Sequence, residues 1–75
     1  MNETLKNKIA AAQVLGTTAF KNGKIRVAAH DEGFMELIRG MQVGEGASHI
    51  GMAWIKGWTL AQFAAIDEEQ KTGTD

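Results

Sequence analysis

Four side chains are the first candidates for metal ligands, because three of them are adjacent in sequence: His30, Asp31 and Glu32, with His49 added from a later segment. A zinc site needs ligands whose spacing lets them converge on one ion, as two histidines do when three to five residues separate them. Three adjacent residues point in different directions, and the two histidines are far apart in sequence. We therefore predict no metal and no cofactor, and we interpret Asp31 as a helix N-cap beside a surface histidine.

The segment from Gly16 to Lys24 has the glycines and the lysine of a phosphate-binding loop, but not their spacing. Ile25 stands where such a loop needs a serine or threonine for magnesium, so we interpret Gly16 as a point where another helix crosses closely. No serine or cysteine stands in a recognisable nucleophile setting, and neither histidine has the setting of a catalytic base. These observations predict that the protein is not an enzyme.

A small basic cluster lies around an Asn-Gly pair that would end a helix, and it consists of Lys21, Lys24 and Arg26. Cations grouped in this way contact the phosphate backbone of nucleic acids. Positive charge at a helix C-terminus, followed by a solvated linker, explains the same residues without a ligand. Both interpretations remain open at this point, and the first makes this cluster the candidate nucleic-acid-binding site.

The charges are unevenly distributed, although the net charge of the 75 residues is only −1. Residues 1–30 carry five basic side chains against one acidic, whereas residues 31–75 carry three against eight. Acidic groups at a helix C-terminus oppose the helix dipole. They are either a solvated helix end or residues that face a basic partner, and both interpretations remain open. The acidic members of this predicted partner-binding surface are Glu45, Asp67, Glu68 and Glu69.

The positions of the apolar residues predict an all-α fold, in which two longer helices are joined by a linker with a short intervening helix. The predicted helices cover residues 3–22, 31–40 and 48–70 of a single small domain, and residues 24–30 form an extended linker. The apolar stripe of the first helix consists of Leu5, Ile9, Ala12, Gly16 and Ala19. The predicted inner face of the second consists of Phe34, Leu37, Ile38 and Met41, with Met35 as a further core residue.

The third helix holds both tryptophans. We interpret them as the core of the domain; the alternative is that one of the two indoles is an anchor that binds a partner. Gly57 costs about 1 kcal/mol relative to alanine inside a helix, which makes sense if another helix crosses closely there. Ser48 is the predicted cap, and residues 70–75 are predicted to fray. The predicted inner stripe consists of Ile50, Ala53, Trp54, Gly57, Ala61, Ala64 and Ala65, with Trp58 at its edge.

A second apolar set lies opposite this stripe and consists of Met52, Ile55, Phe63 and Ile66. A helix that is apolar nearly all round is usually buried nearly all round, and two short helices cannot easily cover both sides. We predict that these four residues contribute to a homodimer or partner surface; the alternative is that the second helix folds over them. No apolar run has the roughly 18 residues of a membrane span, and the chain lacks cysteine, so we expect a cytoplasmic protein.

Two short motifs and an aspartate carry a family resemblance, in the order Gly16-x-x-Ala19-Phe20-x-x-Gly23-Lys24, Asp31 and Ala53-Trp54-Ile55-x-Gly57-Trp58-x-x-Ala61. This pattern, which covers most of residues 12–65, resembles the ribosome modulation factor family. The resemblance implies two helices joined by a linker, and a protein that binds the ribosome during slow growth and promotes inactive ribosome dimers. It also implies that the basic cluster faces RNA.

The leading hypothesis is therefore a small binding protein that regulates a large nucleic-acid machine by docking on its RNA. The first candidate for this machine is the ribosome. The alternative is an inhibitor from a phage or mobile element, similar to anti-CRISPR proteins. Its acidic surface would occupy the DNA-binding groove of a protein target such as a CRISPR effector. The two hypotheses assign function to opposite charges of the same chain.

Overall fold

A computed structural model describes residues 3–41 and 46–73, with side chains through residue 68. The order of elements is helix α1 (Glu3–Lys21), a short 3-10 turn (Ala28–His30), helix α2 (Glu32–Ile38) and helix α3 (Ala47–Gly73). The described residues contain no strand, and the predicted all-α class with two long helices and a short one between them is confirmed. Within the same residues, no helix is both long and apolar enough to cross a membrane.

Helix α1 ends at a left-handed glycine, as the Asn-Gly pair predicts. Gly23 has a φ of +74°, which a residue with a side chain adopts only with strain. Its N–H donates to the Phe20 carbonyl at 3.0 Å, and the Lys24 N–H donates to the Ala19 carbonyl at 2.9 Å. These two bonds form a Schellman motif, which satisfies the last carbonyls of the helix and turns the chain into the linker.

Helix α2 begins where the sequence predicts, with Asp31 as its N-cap. The Oδ1 atom of Asp31 accepts hydrogen bonds from the Gly33 N–H at 2.9 Å and the Phe34 N–H at 3.4 Å. The helix is shorter than predicted, because it ends at Ile38 and Gly40 then adopts a φ of +81°. Phe34 is buried, but the prediction that Met35 belongs to the core is wrong, since its position on the opposite face leaves it exposed.

Helix α3 is longer than predicted at both ends. It begins at Ala47, so Ser48 lies inside the first turn and is not the cap, and its backbone stays helical through Gly73. The backbone of residues 70–73, for which the sequence predicts fraying, is helical in the structure. With 27 residues the helix is about 40 Å long, and it sets the 50 Å longest dimension of the molecule.

The two long helices run in the same direction, because contacts advance together along both. Leu5 lies against Gly46, Gly16 against the backbone of Trp54, and Phe20 against Trp58. A parallel pair needs a connection that returns to the starting end, and the linker, the 3-10 turn and α2 provide it. The sequence left this direction open.

The helices touch backbone to backbone at two glycines. A Cβ atom added to Gly16 would overlap the Trp54 carbonyl oxygen, and one added to Gly57 would overlap the Gln13 carbonyl oxygen. The Thr17 hydroxyl lies 3.1 Å from the Gln13 carbonyl oxygen and 3.2 Å from that of Gly57, within hydrogen-bonding distance of both. The predicted close crossing at Gly16 and at Gly57 is thus confirmed as one shared contact.

The core is small and centres on Trp54, whose side chain is 1% exposed. Partly buried residues from all three helices pack around it. Ala64 and Ala65 continue the inner stripe of α3 but are exposed, because α1 ends at Lys21 and does not cover them. The buried apolar residues of the described structure are Ala12, Ala19, Phe34, Ile50, Ala53 and Trp54.

Candidate nucleic-acid interface

Trp58 is fixed at the end of α1 by three neighbours. Its indole Nε1–H donates to the Lys24 backbone carbonyl at 3.0 Å. The Phe20 ring meets it edge to face, with centroids 5.1 Å apart and planes at 88°. The guanidinium carbon of Arg26 lies 5.8 Å from the Trp58 ring centroid, within the range of a cation–π interaction. The second tryptophan therefore lies at the edge of the core and joins α3 to the linker.

The basic cluster, Lys21, Lys24 and Arg26, lies at the end of α1 and in the linker, where Arg26 and the Lys24 backbone contact this tryptophan. The Schellman turn separates Lys21 from Lys24, and the hydrogen bond from Trp58 holds the backbone of Lys24 against α3. All three cationic side chains are exposed. The bond to Trp58 uses only the carbonyl of Lys24, so its ammonium group remains available for a phosphate. Cations beside a half-buried aromatic ring are the combination that binds a nucleic-acid backbone and its bases.

A cleft of about 460 Å³ opens beside this cluster, between the end of α1 and the linker. Its wall includes the exposed side chains of Ile25 and Val27, and Trp54 and Asp31 lie deeper. Polar groups at its edge come from Thr18, Asn22, Lys24 and His30. A cleft of this size and mixed lining is within the range of small-molecule or nucleobase sites.

Asp31, in the wall of the cleft, connects α2 to α3. While Oδ1 caps α2, Oδ2 accepts a hydrogen bond of 2.7 Å from the Trp54 indole Nε1. One carboxylate thereby fixes the start of α2 to the centre of α3. The sequence predicted the cap but not the bond to Trp54, because the two residues are 23 positions apart and no local pattern relates them.

The acidic residues lie only partly within the described structure. Asp67 and Glu68 are exposed near the end of α3, whereas Glu45 and the side chain of Glu69 lie outside the described residues. Glu68 lines a shallow groove with Lys21 and Phe20, so it borders the basic cluster. The groove floor is formed by Thr17, Ala61, Ala64 and Ala65.

The second apolar set of α3 is exposed, and α2 does not cover it. Met52 is 69% exposed and Phe63 is 61% exposed, and Ile55 and Ile66 are exposed as well. Leu60, which the sequence did not single out, belongs to the same surface. We call these five residues the outer face of α3: Met52, Ile55, Leu60, Phe63 and Ile66.

Among the described residues, no group of three or more histidine or acidic side chains is placed to hold a metal ion, and His30, Asp31, Glu32 and His49 do not converge. Comparison with known proteins adds no assignment, because no family model, curated protein or solved structure matches the chain significantly. Function therefore has to be argued from the residues themselves.

Proposed function

We propose that this protein is a small, non-enzymatic RNA-binding regulator that docks on a large nucleic-acid machine, with the ribosome as the first candidate. The observation that carries the proposal is a set of three exposed cations at the end of α1 and in the following linker, of which Arg26 lies over the Trp58 ring. The resemblance of the two glycine-aromatic motifs to the ribosome modulation factor family supports the same partner. In this proposal the basic cluster contacts phosphates, and Trp58 supports the position of Arg26.

The two motifs that carry the resemblance have a structural role that suits such a function. Gly16 and Gly57 bring α1 and α3 together, and this contact places Phe20 against Trp58 at the end of α1. The small residues and the aromatic residues of the motifs thus build one rigid platform beneath the cations. Rigid placement favours binding, because fewer side-chain conformations are lost when the complex forms.

Reversing the charge of the basic cluster should abolish binding to ribosomes. In the triple variant Lys21→Glu, Lys24→Glu, Arg26→Glu, three phosphate contacts become repulsive, so we expect at least a hundredfold loss of affinity, on the order of 3 kcal/mol. The logarithm of the wild-type association constant should also fall linearly with the logarithm of the salt concentration. Its slope should be about −2 to −3 for three phosphate contacts. Sedimentation with purified bacterial ribosomes through a sucrose gradient measures both effects.

The matched control changes charge elsewhere on α1. The variant Lys6→Glu, Lys8→Glu removes two lysines that lie away from the Schellman turn and from Trp58, and it should keep most of the affinity. Far-UV circular dichroism checks that each variant is folded. Equal losses in both variants would mean that only net charge matters, and would refute a site at the basic cluster.

A second candidate is favoured by the exposed acidic residues at the end of α3. An inhibitor similar to anti-CRISPR proteins would present Asp67, Glu68 and Glu69 to the basic DNA-binding groove of a protein target. Pull-down from bacterial lysate with and without nuclease separates the two candidates. Nuclease-resistant capture of a DNA-binding protein complex, lost in Glu68→Lys, Glu69→Lys but kept in the basic-cluster variant, would favour the inhibitor.

A further inference from the structure

The cleft between the end of α1 and the linker has no role in the phosphate contacts proposed above. Its volume is about 460 Å³, and its walls combine apolar side chains with a few polar groups. A nucleobase has the complementary character, since its two faces are apolar and its edges carry hydrogen-bonding groups. A concave site of this size and lining is typical of pockets that bind such rings.

The linker places the cleft beside the basic cluster by directing neighbouring residues to opposite sides. The Val27 N–H donates to the Ile25 carbonyl at 2.9 Å, which makes a three-residue turn centred on Arg26. Ile25 and Val27 both line the cleft. Arg26, between them, lies over the Trp58 ring instead. Lys24 also lines the cleft, so a phosphate bound by its ammonium group would lie at the cleft edge.

The inner part of the cleft offers a hydrogen bond that distinguishes between bases. The Asp31 carboxylate has about four acceptor positions. Two are used on Oδ1 by N–H groups at the start of α2, and one is used on Oδ2 by the Trp54 indole. The remaining position, on Oδ2, is suited to an exocyclic amino group, which adenine, cytosine and guanine carry and uracil lacks. Nearer the edge, Thr18 and Asn22 supply a hydroxyl and an amide.

The charges around the cleft favour a nucleotide over an uncharged ligand. Lys24 and His30 stand at its edge, and Arg26 lies just outside it in the linker. Among the described residues that line the cleft, Asp31 is the only acidic one, and it lies deeper. This layout fits a ligand with a ring inside and a phosphate outside, whereas an uncharged apolar molecule would make no use of the cations.

We propose that the cleft receives one unpaired base of the bound RNA, with the phosphate of that nucleotide on Lys24 and an amino group of the base on Asp31. This inference rests on the proposed RNA-binding function and specifies which RNA is bound. A base inside a double helix is stacked and paired and cannot enter a cleft, whereas a base in a loop or bulge can be turned out. The RNA partner is therefore a single-stranded segment.

Strands with and without bases test the cleft directly. A short oligoadenylate and an abasic strand of equal length carry the same phosphates, so both can contact the basic cluster. Fluorescence anisotropy of end-labelled strands should show that the wild-type protein binds the oligoadenylate about tenfold more tightly or better. Oligouridylate should bind more weakly than oligoadenylate, because uracil has no amino group for Asp31. Equal affinities for the oligoadenylate and the abasic strand would overturn the proposal.

A variant that fills the cleft separates base binding from phosphate binding. Thr18→Met adds a larger side chain at an exposed position of α1 that lines the cleft, and it should remove most of the preference for the oligoadenylate. Affinity for the abasic strand should not change. Val14→Met is the control, because Val14 is exposed one turn earlier on α1 and does not line the cleft. A preference that survives Thr18→Met, or one that Val14→Met also removes, would overturn the assignment to the cleft.

These outcomes are distinct from those of the ribosome experiment. If the protein sediments with ribosomes through its basic cluster but binds both strands equally, the proposed function stands and the cleft inference fails. If ribosome binding survives charge reversal of the basic cluster, the proposed function fails, whatever the strands show. Free adenosine monophosphate that binds as tightly as the oligoadenylate would identify a free nucleotide as the ligand and overturn the assignment to RNA.

Discussion

Replacing Gly57 with alanine should destabilise the protein by about 3 kcal/mol, a loss typical of severe overpacking. The new methyl group would overlap the Gln13 carbonyl oxygen of α1, which is backbone and cannot rotate away. The helices would have to separate, and the contact of the Thr17 hydroxyl with the Gly57 carbonyl would be lost. A core of this size supplies only roughly 3–5 kcal/mol, so the variant should keep at most about 2 kcal/mol of its free energy of unfolding.

The sign of the effect distinguishes close packing from helix propensity. Alanine is favoured over glycine inside a helix by about 1 kcal/mol, so without the crossing the variant would be more stable than the wild type. Gly51→Ala, in the same helix, is the matched control, because its methyl group would meet only the Phe34 Cζ atom at an ordinary 3.7 Å. Urea unfolding followed by tryptophan fluorescence should show Gly51→Ala unchanged or stabilised. A Gly57→Ala protein as stable as the wild type would refute the close crossing.

Gly16→Ala should be about as damaging as Gly57→Ala, since its methyl group would overlap the Trp54 carbonyl oxygen. Both changes push the same two helices apart at the same crossing. Their effects should therefore not add, because one separation relieves both overlaps. Because each change alone removes most of the stability, the free energies of unfolding of the single and double variants should be compared in a stabilised protein. Gly51→Ala is the first choice for this background.

Replacing Asp31 with alanine is the second change for which we expect a large effect, again about 3 kcal/mol. The substitution removes an N-cap, which is worth about 1 kcal/mol, and leaves the Trp54 indole N–H without its acceptor, which costs about 1–3 kcal/mol. Trp54 is 1% exposed in the wild-type protein, so its indole N–H depends on Asp31 for an acceptor. Thermal unfolding followed by far-UV circular dichroism measures the loss. Glu32→Ala, an exposed carboxylate in the first turn of α2, is the control and should cost only a few tenths of a kcal/mol.

Asp31→Asn separates the two roles of the carboxylate. Asparagine caps a helix as well as aspartate does, but its single amide oxygen cannot accept from both the α2 backbone and the Trp54 indole. The variant should therefore lose one interaction and be intermediate in stability. In the Trp54→Phe background, where the indole donor is absent, Asp31→Asn should cost much less than in the wild type. An equal cost in both backgrounds would refute the Asp31–Trp54 bond.

These two contacts also connect stability to the proposed function. The crossing at Gly16 and Gly57 places Phe20 against Trp58, and Trp58 in turn holds the Lys24 backbone and lies beneath Arg26. Asp31 fixes the other end of the linker to Trp54. The linker that carries Lys24 and Arg26 is thus held to α3 at both ends by a tryptophan N–H. We expect any variant that loosens either tryptophan to weaken RNA binding as well as the fold.

The sequence by itself determined that there are three helices, where α1 ends and where α2 begins. Periodic apolar residues, the Asn22-Gly23 stop and the Asp31 cap act within a few residues of one another, so their effect can be inferred without knowing the fold. The two glycines could also be identified as crossing points, because each stands inside a helix where it costs stability unless another backbone comes close. The all-α class with a short middle helix followed from these local patterns.

Only the tertiary structure determined how the helices and the linker are arranged relative to one another. The parallel direction of α1 and α3, the bond from Asp31 to Trp54 and the bond from Trp58 to Lys24 join residues between 23 and 41 positions apart. The path of the linker fixes these pairings, and no periodicity in the sequence encodes that path. The same is true of the outer face of α3. Its apolar residues could be identified from the sequence, but whether α2 covers them depends on the side of α3 on which α2 packs.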